Sequence, residues 1–371
     1  MKIAMLFPYA PAYRELIYRK IDKEFDVDWF FCGNAKRPLK LLDCSILRNV
    51  NLSMSEKIVI GPLHYYKGIK KLKLENYDAI IAAPVTRCLS MWWLVKKYGH
   101  KTHKKGPKVF FWTHGWYGHE TCLESFLKRI MLRKTDVFLL YNNRAKQLMV
   151  KEGFDESRLF VIYNSLNYDE QLPLRKSLSI SNLYKNHFGN NNKNIVFIGR
   201  LTHEKRFDIL IDAVDKLKTR GERVNVTLIG DGVQREVLEA TVLKKKINDC
   251  VWFYGACYDE KKNAELIYNA DLCVSPGNIG LTAIHVLMFG CPAITCDDYI
   301  HQGPEFEAIK NDKTGAFFKS GDAESLADSI SLWFKLHGKD REQIRQNCYH
   351  EIDNFWTPDY QIKVLKEALS I

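Results

Sequence analysis

The 371-residue sequence has no run of eighteen or more apolar residues, which excludes a helix that crosses a bilayer on its own hydrophobicity. None of its ten cysteines (Cys32, Cys44, Cys88, Cys122, Cys250, Cys257, Cys273, Cys291, Cys296 and Cys348) pairs with another in a C-x-x-C spacing. That excludes the common zinc and thioredoxin-like signatures, and the thiols are expected to be reduced filler. No D-x-D element stands at a suitable strand end, so no metal is expected. The opening apolar stretch runs straight into Pro8, too short for a signal h-region and without a small-residue cleavage pattern. It reads as the first strand of a cytoplasmic domain.

Charge is present in excess and unevenly placed. Of 55 Lys and Arg and 44 Asp and Glu, residues 1–185 hold 32 against 17, and residues 186–371 hold 23 against 27. The basic half is densest over residues 67–73 and at Lys96, Lys97, Lys101, Lys104, Lys105 and Lys108. Each Lys near an anionic leaflet contributes roughly 1 kcal/mol. The clusters therefore fit a solvated face, an acidic acceptor or contact with the inner face of a cell membrane. No nucleic-acid-binding module accompanies the charge, so nucleic acid is not an expected partner.

Short bursts rich in β-branched and aromatic residues recur at 2–7, 27–31, 78–83, 108–112, 137–141 and 160–163, separated by helical patterns. A second series follows at 195–199, 224–230, 251–255, 272–275, 293–296 and 315–318. This alternation predicts two α/β domains in succession, each with a parallel sheet. Residues 1–170 form the first, the polar stretch 171–193 reads as a linker, 194–352 form the second, and 353–371 carry a terminal helix.

The segment Gly199-Arg200-Leu201-Thr202-His203-Glu204-Lys205 follows a buried strand and precedes a helix. Ligands of open α/β sheets bind outside the C-terminal ends of the strands, so Arg200 and Lys205 are placed for an anion. A planar fork beside a mobile point charge suits the oxygens of a diphosphate. Farther on, Ser275-Pro276-Gly277-Asn278-Ile279-Gly280-Leu281-Thr282 leads into a helix closed by Gly290. The backbone N–H groups of Gly280, Leu281 and Thr282 would face the same guest.

Taken in order, five segments resemble the retaining GT-B glycosyltransferases of family four, which build lipopolysaccharide, capsule and other glycans. Residues 199–205 resemble its G-R-L-x-x-x-K-G pattern, Val161–Asn167 look like V-I-x-N-G-V-D, and Leu228–Gly232 look like its G-x-G loop. Residues 251–255 and 270–276 complete the set, and the likeness covers 160–320 well and the N-terminal half loosely. The resemblance implies two Rossmann-like domains facing across a cleft, with the C-terminal helix returning to the N-terminal domain. It also implies a nucleotide diphospho-sugar, of UDP or GDP type, on the C-terminal domain, a glycan or lipid-linked acceptor on the N-terminal one, and no cofactor.

Carried over residue by residue, Arg200 and Lys205 bind the donor diphosphate and act catalytically, and Gly230, Asp231, Tyr254, Asn278, Gly280, Leu281 and Thr282 complete the donor site. The family places Glu at both ends of E-x-x-x-x-x-x-x-E, and this chain has Gly277 and His285 there. His285 could still hydrogen-bond a ribose. Gly277 would open room for a different sugar or leave it to Asn278, and Glu305 or Glu307 could replace the lost carboxylate. In the first domain His114, in a Gly-flanked loop after a strand, is the expected acceptor-side catalytic group. Glu120 could activate the acceptor hydroxyl, and Tyr9, Tyr13 and His119 could contact the acceptor, although plain packing suits the two tyrosines equally. A GT-B epimerase, a glycan phosphorylase and a non-catalytic partner subunit are the alternatives.

Overall fold

The computed structural model describes residues 1–34, 40–100 and 106–370, so Lys101, Lys104 and Lys105 lie outside the described residues. The chain divides into two compact units, Met1–Asn167 with Thr357–Ile371, and Tyr168–Trp356.

The first unit is built on β1 (Lys2–Leu6), β2 (Asp26–Cys32), β3 (Asn49–Ile60), β4 (Leu63–Lys67), β5 (Ala79–Ala82), β6 (Lys108–Thr113), β7 (Val137–Leu140) and β8 (Leu159–Val161). They lie in the order β4-β3-β2-β1-β5-β6-β7-β8. The pairings are parallel except for the hairpin β3–β4. Alternate side chains supply the two faces. Ile3, Met5, Trp29, Phe31, Phe110 and Trp112 pack on one side, against the helices Glu15–Glu24 and Pro358–Leu369. Ala4, Leu6, Phe30, Ile80, Val109 and Phe111 pack on the other, with Leu94 of the helix Leu89–Tyr98. Burial on both faces explains why these strands read as continuous apolar runs.

The hairpin is absent from the sequence reading. Asn and Ser alternate with Val50, Leu52 and Met54, and of β3 only Met54 is buried, so its hydrophobic signal is weak.

The second unit holds β9 (Lys193–Ile198), β10 (Val224–Ile229), β11 (Val251–Gly255), β12 (Leu272–Ser275), β13 (Ala293–Cys296) and β14 (Gly315–Phe318), all parallel, in the order β11-β10-β9-β12-β13-β14. Residues 171–193, expected as a linker, instead carry most of the helix Tyr168–Ser177 and the helix Leu183–Phe188 within this unit. Three contacts fasten them. The Tyr184 hydroxyl donates to Leu266 O at 2.8 Å, Gln171 donates to Glu260 at 2.7 Å, and Arg175 grips Asp353 through two bonds of 2.9 Å. Polar Ser and Asn around the few apolar residues hide these helices in the sequence.

Position 353, expected to open the terminal helix, lies inside the helix Arg341–Phe355 of the second unit. The terminal helix starts at Pro358, capped by Thr357, whose hydroxyl accepts from Tyr360 N at 3.1 Å. It packs in the first unit, where Ser165 donates to Gln361 at 2.7 Å and Lys366 meets Glu24 at 2.6 Å.

Each sheet reverses its strand order once. In the first unit the chain runs outward from β1 to β4 and then returns to place β5 beside β1; in the second it runs from β9 to β11 and returns to place β12 beside β9. The crevice outside the C-terminal ends of the two strands at such a switch point is where open α/β sheets take ligands.

Candidate functional site

At the switch point of the second unit, β9 ends at Ile198 and runs into Gly199, and β12 ends at Ser275 and runs into Pro276-Gly277. Arg200 is exposed, and its guanidinium makes no hydrogen bond or ion pair with any described residue. Lys205 is half-buried, with Nζ 2.5 Å from Asn278 O and 3.4 Å from Ile279 O. Burial pushes its ammonium below the ordinary lysine value, Arg200 adds to that, and Glu305 and Glu204 oppose it. The geometry therefore brings together two cations, one free and one lodged on backbone carbonyls it could exchange for a ligand.

Gly230 and Asp231 buttress this loop from behind. A Cβ at Gly230 would lie 1.8 Å from Gly199 O, so only glycine lets the two strand ends meet. Asp231 accepts from Leu201 N at 2.9 Å through its carbonyl, and its carboxylate accepts from Gly232 N at 2.7 Å. Tyr254 lies next to Gly255, whose carbonyl accepts from Gly230 N at 2.8 Å. It sits on edge strand β11 in an aromatic column with Trp252 at 5.0 Å, and Trp252 stacks on His187 at 3.7 Å.

The loop after β12 is docked on the Lys205 turn. Gly277 N donates to Lys205 O at 3.0 Å, and a Cβ at Gly277 would lie 1.9 Å from Glu204 O. Gly277 therefore does not open room for a sugar, because Glu204 backbone already fills the space. Asn278 departs from expectation as well. Its amide donates to His301 O at 2.9 Å and accepts from Gly303 N at 3.1 Å, so the side chain staples two loops. Gly280 takes the left-handed φ of 54°, and the N–H groups of Gly280 and Leu281 have no acceptor among the described residues. Thr282 donates to Ile198 O at 3.1 Å, tying the start of the helix Thr282–Met288 to the end of β9.

His285 Nε2 lies 2.9 Å from Glu260 Oε1, at the start of the helix Glu260–Asn269. Burial alone would raise the Glu260 carboxyl, and the bonds from His285 and Gln171 outweigh it and hold it below its ordinary range. Glu305 is buried, and its Oε2 lies 3.0 Å from where a Gly303 Cβ would stand, beside Gly280 and the Asn278 amide. Glu307 is half-buried on the same turn. Gln302, which the sequence reading passed over, braces the loop: it accepts from Ile279 N at 2.9 Å and donates to Thr295 Oγ1 at 2.9 Å.

At the switch point of the first unit a cavity of about 680 Å³ opens between the loops after β1, β5 and β6. Tyr9, Tyr13, His114, His119 and Glu120 all line it. His114 has an accessible ring set in concave surroundings, 4.7 Å from Tyr141 and 5.7 Å from Tyr117. Burial, then Arg14 and Lys128, push its imidazole down to about 4, so it is neutral at physiological pH. Glu120 is committed elsewhere, accepting from Tyr117 N at 2.8 Å, Gly118 N at 2.9 Å and Lys128 Nζ at 2.6 Å. It holds the His114 loop closed and has no spare basicity to activate a hydroxyl. His119 lies with its ring 5.5 Å from Tyr117.

Arg14 also lines this cavity and went unnoticed in the sequence. It is buried, hydrogen-bonded to Tyr141, and stacked 5.2 Å from Trp112 and 5.3 Å from Tyr141. The only signal was its place in the loop after the first strand. Among the described residues no group of three or more His, Cys, Asp or Glu converges as a metal site, and no helix is long and apolar enough to cross a membrane.

Residues 182–351 match the family model described as Glycosyl transferases group 1, so the second unit carries a domain of that kind. An uncharacterized 41.2 kDa protein in the cps region of Klebsiella pneumoniae is 24% identical over 278 residues, covering 71% of this chain and 73% of that protein. An uncharacterized glycosyltransferase of Methanocaldococcus jannaschii is 25% identical over 58% of this chain and 54% of that protein. Among solved structures, Anabaena HepE in complex with UDP superposes with a TM-score of 0.73 at 16% identity over 100% of both chains. The lipopolysaccharide outer core galactosyltransferase WaaB, in apo form, superposes at 0.71 and 16% identity over 100% of this chain and 99% of that one. The fold is that of GT-B glycosyltransferases.

Proposed function

We propose that this protein is a glycosyltransferase that moves a sugar from a nucleotide diphospho-sugar, of UDP or GDP type, to a glycan or lipid-linked glycan with retention of configuration. Its setting is the synthesis of a cell-surface polysaccharide at the cytoplasmic face of the membrane. The observation that carries this reading is the pair Arg200 and Lys205 at the β9–β12 switch point, next to the free N–H groups of Gly280 and Leu281, inside the matched domain. The Klebsiella relative from a capsule region and the Anabaena structures with UDP and with UDP-glucose support the substrate class and the pathway.

The leaving diphosphate gains charge as the glycosidic bond breaks. Fixed cations beside it stabilise the transition state more than the ground state. Lys205 would exchange its carbonyl partners for diphosphate oxygens, and Arg200 would add a bidentate grip. Glu305, near Gly280, takes the sugar-facing role that Gly277 cannot fill. His285, held by Glu260, presents its other ring nitrogen to the ribose. In the first unit His114 is too weak a base near pH 7 to deprotonate an acceptor hydroxyl, so it orients that hydroxyl, and the departing phosphate takes the proton.

A thermal-shift panel with UDP, GDP, ADP, CMP and dTDP tests the donor site, since a ligand at 100 times its Kd adds about 2.7 kcal/mol. A shift with UDP or GDP that vanishes in Lys205→Ala is expected. No shift with any nucleotide would sink the enzymatic reading.

A further inference from the structure

The cavity of the first unit holds a cation that no carboxylate among the described residues neutralises. Arg14 is 9% exposed, and among the described residues no Asp or Glu lies within ion-pairing distance of it. The two carboxylates that line the cavity with it are taken: Glu120 by Lys128 at 2.6 Å, and Glu124 by Thr121 N at 3.2 Å, Thr121 Oγ1 at 3.1 Å and Arg87 at 3.4 Å. Tyrosine hydroxyls and the faces of Tyr13, Trp112 and Tyr141 hold the guanidinium, but none carries negative charge at neutral pH. Burying an unpaired cation is strongly unfavourable unless a ligand completes it. A second observation points the same way. Trp112, 2% exposed, lines the cavity, and its indole Nε1–H has no acceptor among the described residues. A cation and an orphaned donor on one wall both call for oxygen acceptors.

We propose that this cavity binds an oxyanion carried on a sugar ring, a carboxylate or a phosphate. Arg14 forms the fork, the Trp112 Nε1–H the second donor, and Tyr9, Tyr13 and Tyr117 the faces for the ring. This rests on the glycosyltransferase reading, and it makes the acceptor an acidic saccharide. Neutral His114 fits the arrangement, because it can accept from a sugar hydroxyl without adding another charge to the wall.

Calorimetric titration of the full chain with glucuronate, glucose 1-phosphate, inorganic phosphate and glucose tests it. Glucuronate or glucose 1-phosphate should bind about 10- to 100-fold more tightly than glucose, the span of a charge-assisted hydrogen bond. The stronger of the two identifies carboxylate or phosphate as the natural group, and inorganic phosphate binding weakly shows that the ring contributes. Arg14→Met should erase the preference while keeping the UDP thermal shift. If Arg14→Met does not fold, Arg14→Lys and Tyr141→Phe should each narrow it. Equal binding of glucose and the acids, a preference that survives Arg14→Met, or displacement of the acids by UDP would each overturn the proposal. Failure of every nucleotide to bind would remove the transferase reading and leave the acid preference standing on its own.

An independent observation concerns the helix Cys122–Leu132. It turns Leu123, Phe126, Leu127 and Ile130, spaced i, i+3, i+4 and i+7, to solvent, with Leu123 68% and Phe126 58% exposed. The tip of the β3–β4 hairpin adds Ile58 at 76% and Ile60 at 74%. Arg87 joins the two elements, its carbonyl accepting from His64 N at 3.0 Å and its guanidinium reaching Glu124 at 3.4 Å. Apolar side chains on this scale mark an interaction surface. Lys57, Arg87, Arg133 and Lys134 lie on or beside these elements, and the first unit holds 31 Lys and Arg against 17 Asp and Glu. That balance fits an anionic lipid surface and disfavours a second copy of an equally basic unit.

We infer that the helix face and the hairpin tip dock on an anionic leaflet. Cosedimentation with vesicles of phosphatidylcholine, and of phosphatidylcholine with 30% phosphatidylglycerol, reads this directly. Binding is expected only to the anionic vesicles, weakened by salt, and reduced about tenfold or more in Leu123→Ser/Phe126→Ser, whose UDP shift stays unchanged. Equal binding of the variant, equal binding to neutral vesicles, or a dimer in solution that the substitutions dissociate would refute it.

Discussion

His285 Nε2 and Glu260 Oε1 lie 2.9 Å apart, on two different helices of the second unit. A carboxylate is thus present near His285, one of the two positions where the chain departs from the glycosyltransferase pattern it resembles, reached through an imidazole. His285→Glu alone would set two carboxylates face to face and should cost about 1 kcal/mol, a modest figure because Glu260 is partly exposed. The double variant His285→Glu/Glu260→His should regain both stability and the UDP shift. A double variant no better than the single would show that the pair has no joint role.

Lys205→Ala should lower turnover on the order of 100- to 1,000-fold, with the first unit's sugar binding intact. Single-turnover assays with donor and acceptor measure it, and near-normal rates would remove Lys205 from the chemistry. Arg200→Lys should be less severe than Arg200→Ala, since a point charge survives while the fork is lost.

Gly277→Ala should weaken nucleotide binding although the residue touches no ligand. Its Cβ would lie 1.9 Å from Glu204 O, so either the loop after β12 or the Lys205 turn must move. A cost of about 1–3 kcal/mol is expected from such overpacking. An unchanged thermal transition and UDP shift would contradict this account.

Arg206→Gly should stabilise the protein. Arg206 has a left-handed φ of 53° at the start of the helix Phe207–Thr219. Relief of that strain, offset by loss of the exposed Asp208 pair, should give about 0.5–1 kcal/mol. A rise in Tm on thermal unfolding is the readout, and a fall would mean that the ion pair outweighs the strain.

His114 gives a pH signature. Its imidazole is pushed from 6.5 down to about 4, so the unfolded chain takes up a proton that the folded one refuses. Stability is full above pH 6.5 and falls as pH drops toward 4. The wild type should therefore lose Tm relative to His114→Gln across that window, and parallel curves would show that the ring titrates normally.

Legibility in the sequence followed burial. Strands covered on both faces, such as Val137–Leu140, announce themselves as apolar runs, whereas β3, with only Met54 buried, does not. The Arg200 and Lys205 loop was legible because a strand end, two cations and a helix start lie within a dozen residues. Position alone marks Asn278 and Glu120 as ligand groups and Gly277 as open space, yet the two side chains are occupied by protein partners and the space at Gly277 is filled by Glu204 backbone. Arg14, in the connection after β1, and Trp112, on β6, lie about a hundred residues apart in the sequence, and the return of the chain to place β5 beside β1 and β6 beside β5 makes them neighbours.

The helix Pro358–Leu369 belongs to the unit that also contains Met1. Ile362, Leu365 and Ala368 sit in the same core as Ile3, Ile17 and Trp29. During synthesis at about 5–20 residues per second, the second unit can therefore close while the first still lacks a wall. The first unit is thus completed only after the second has been made, and until then its open apolar face is what a chaperone would meet on the nascent polypeptide.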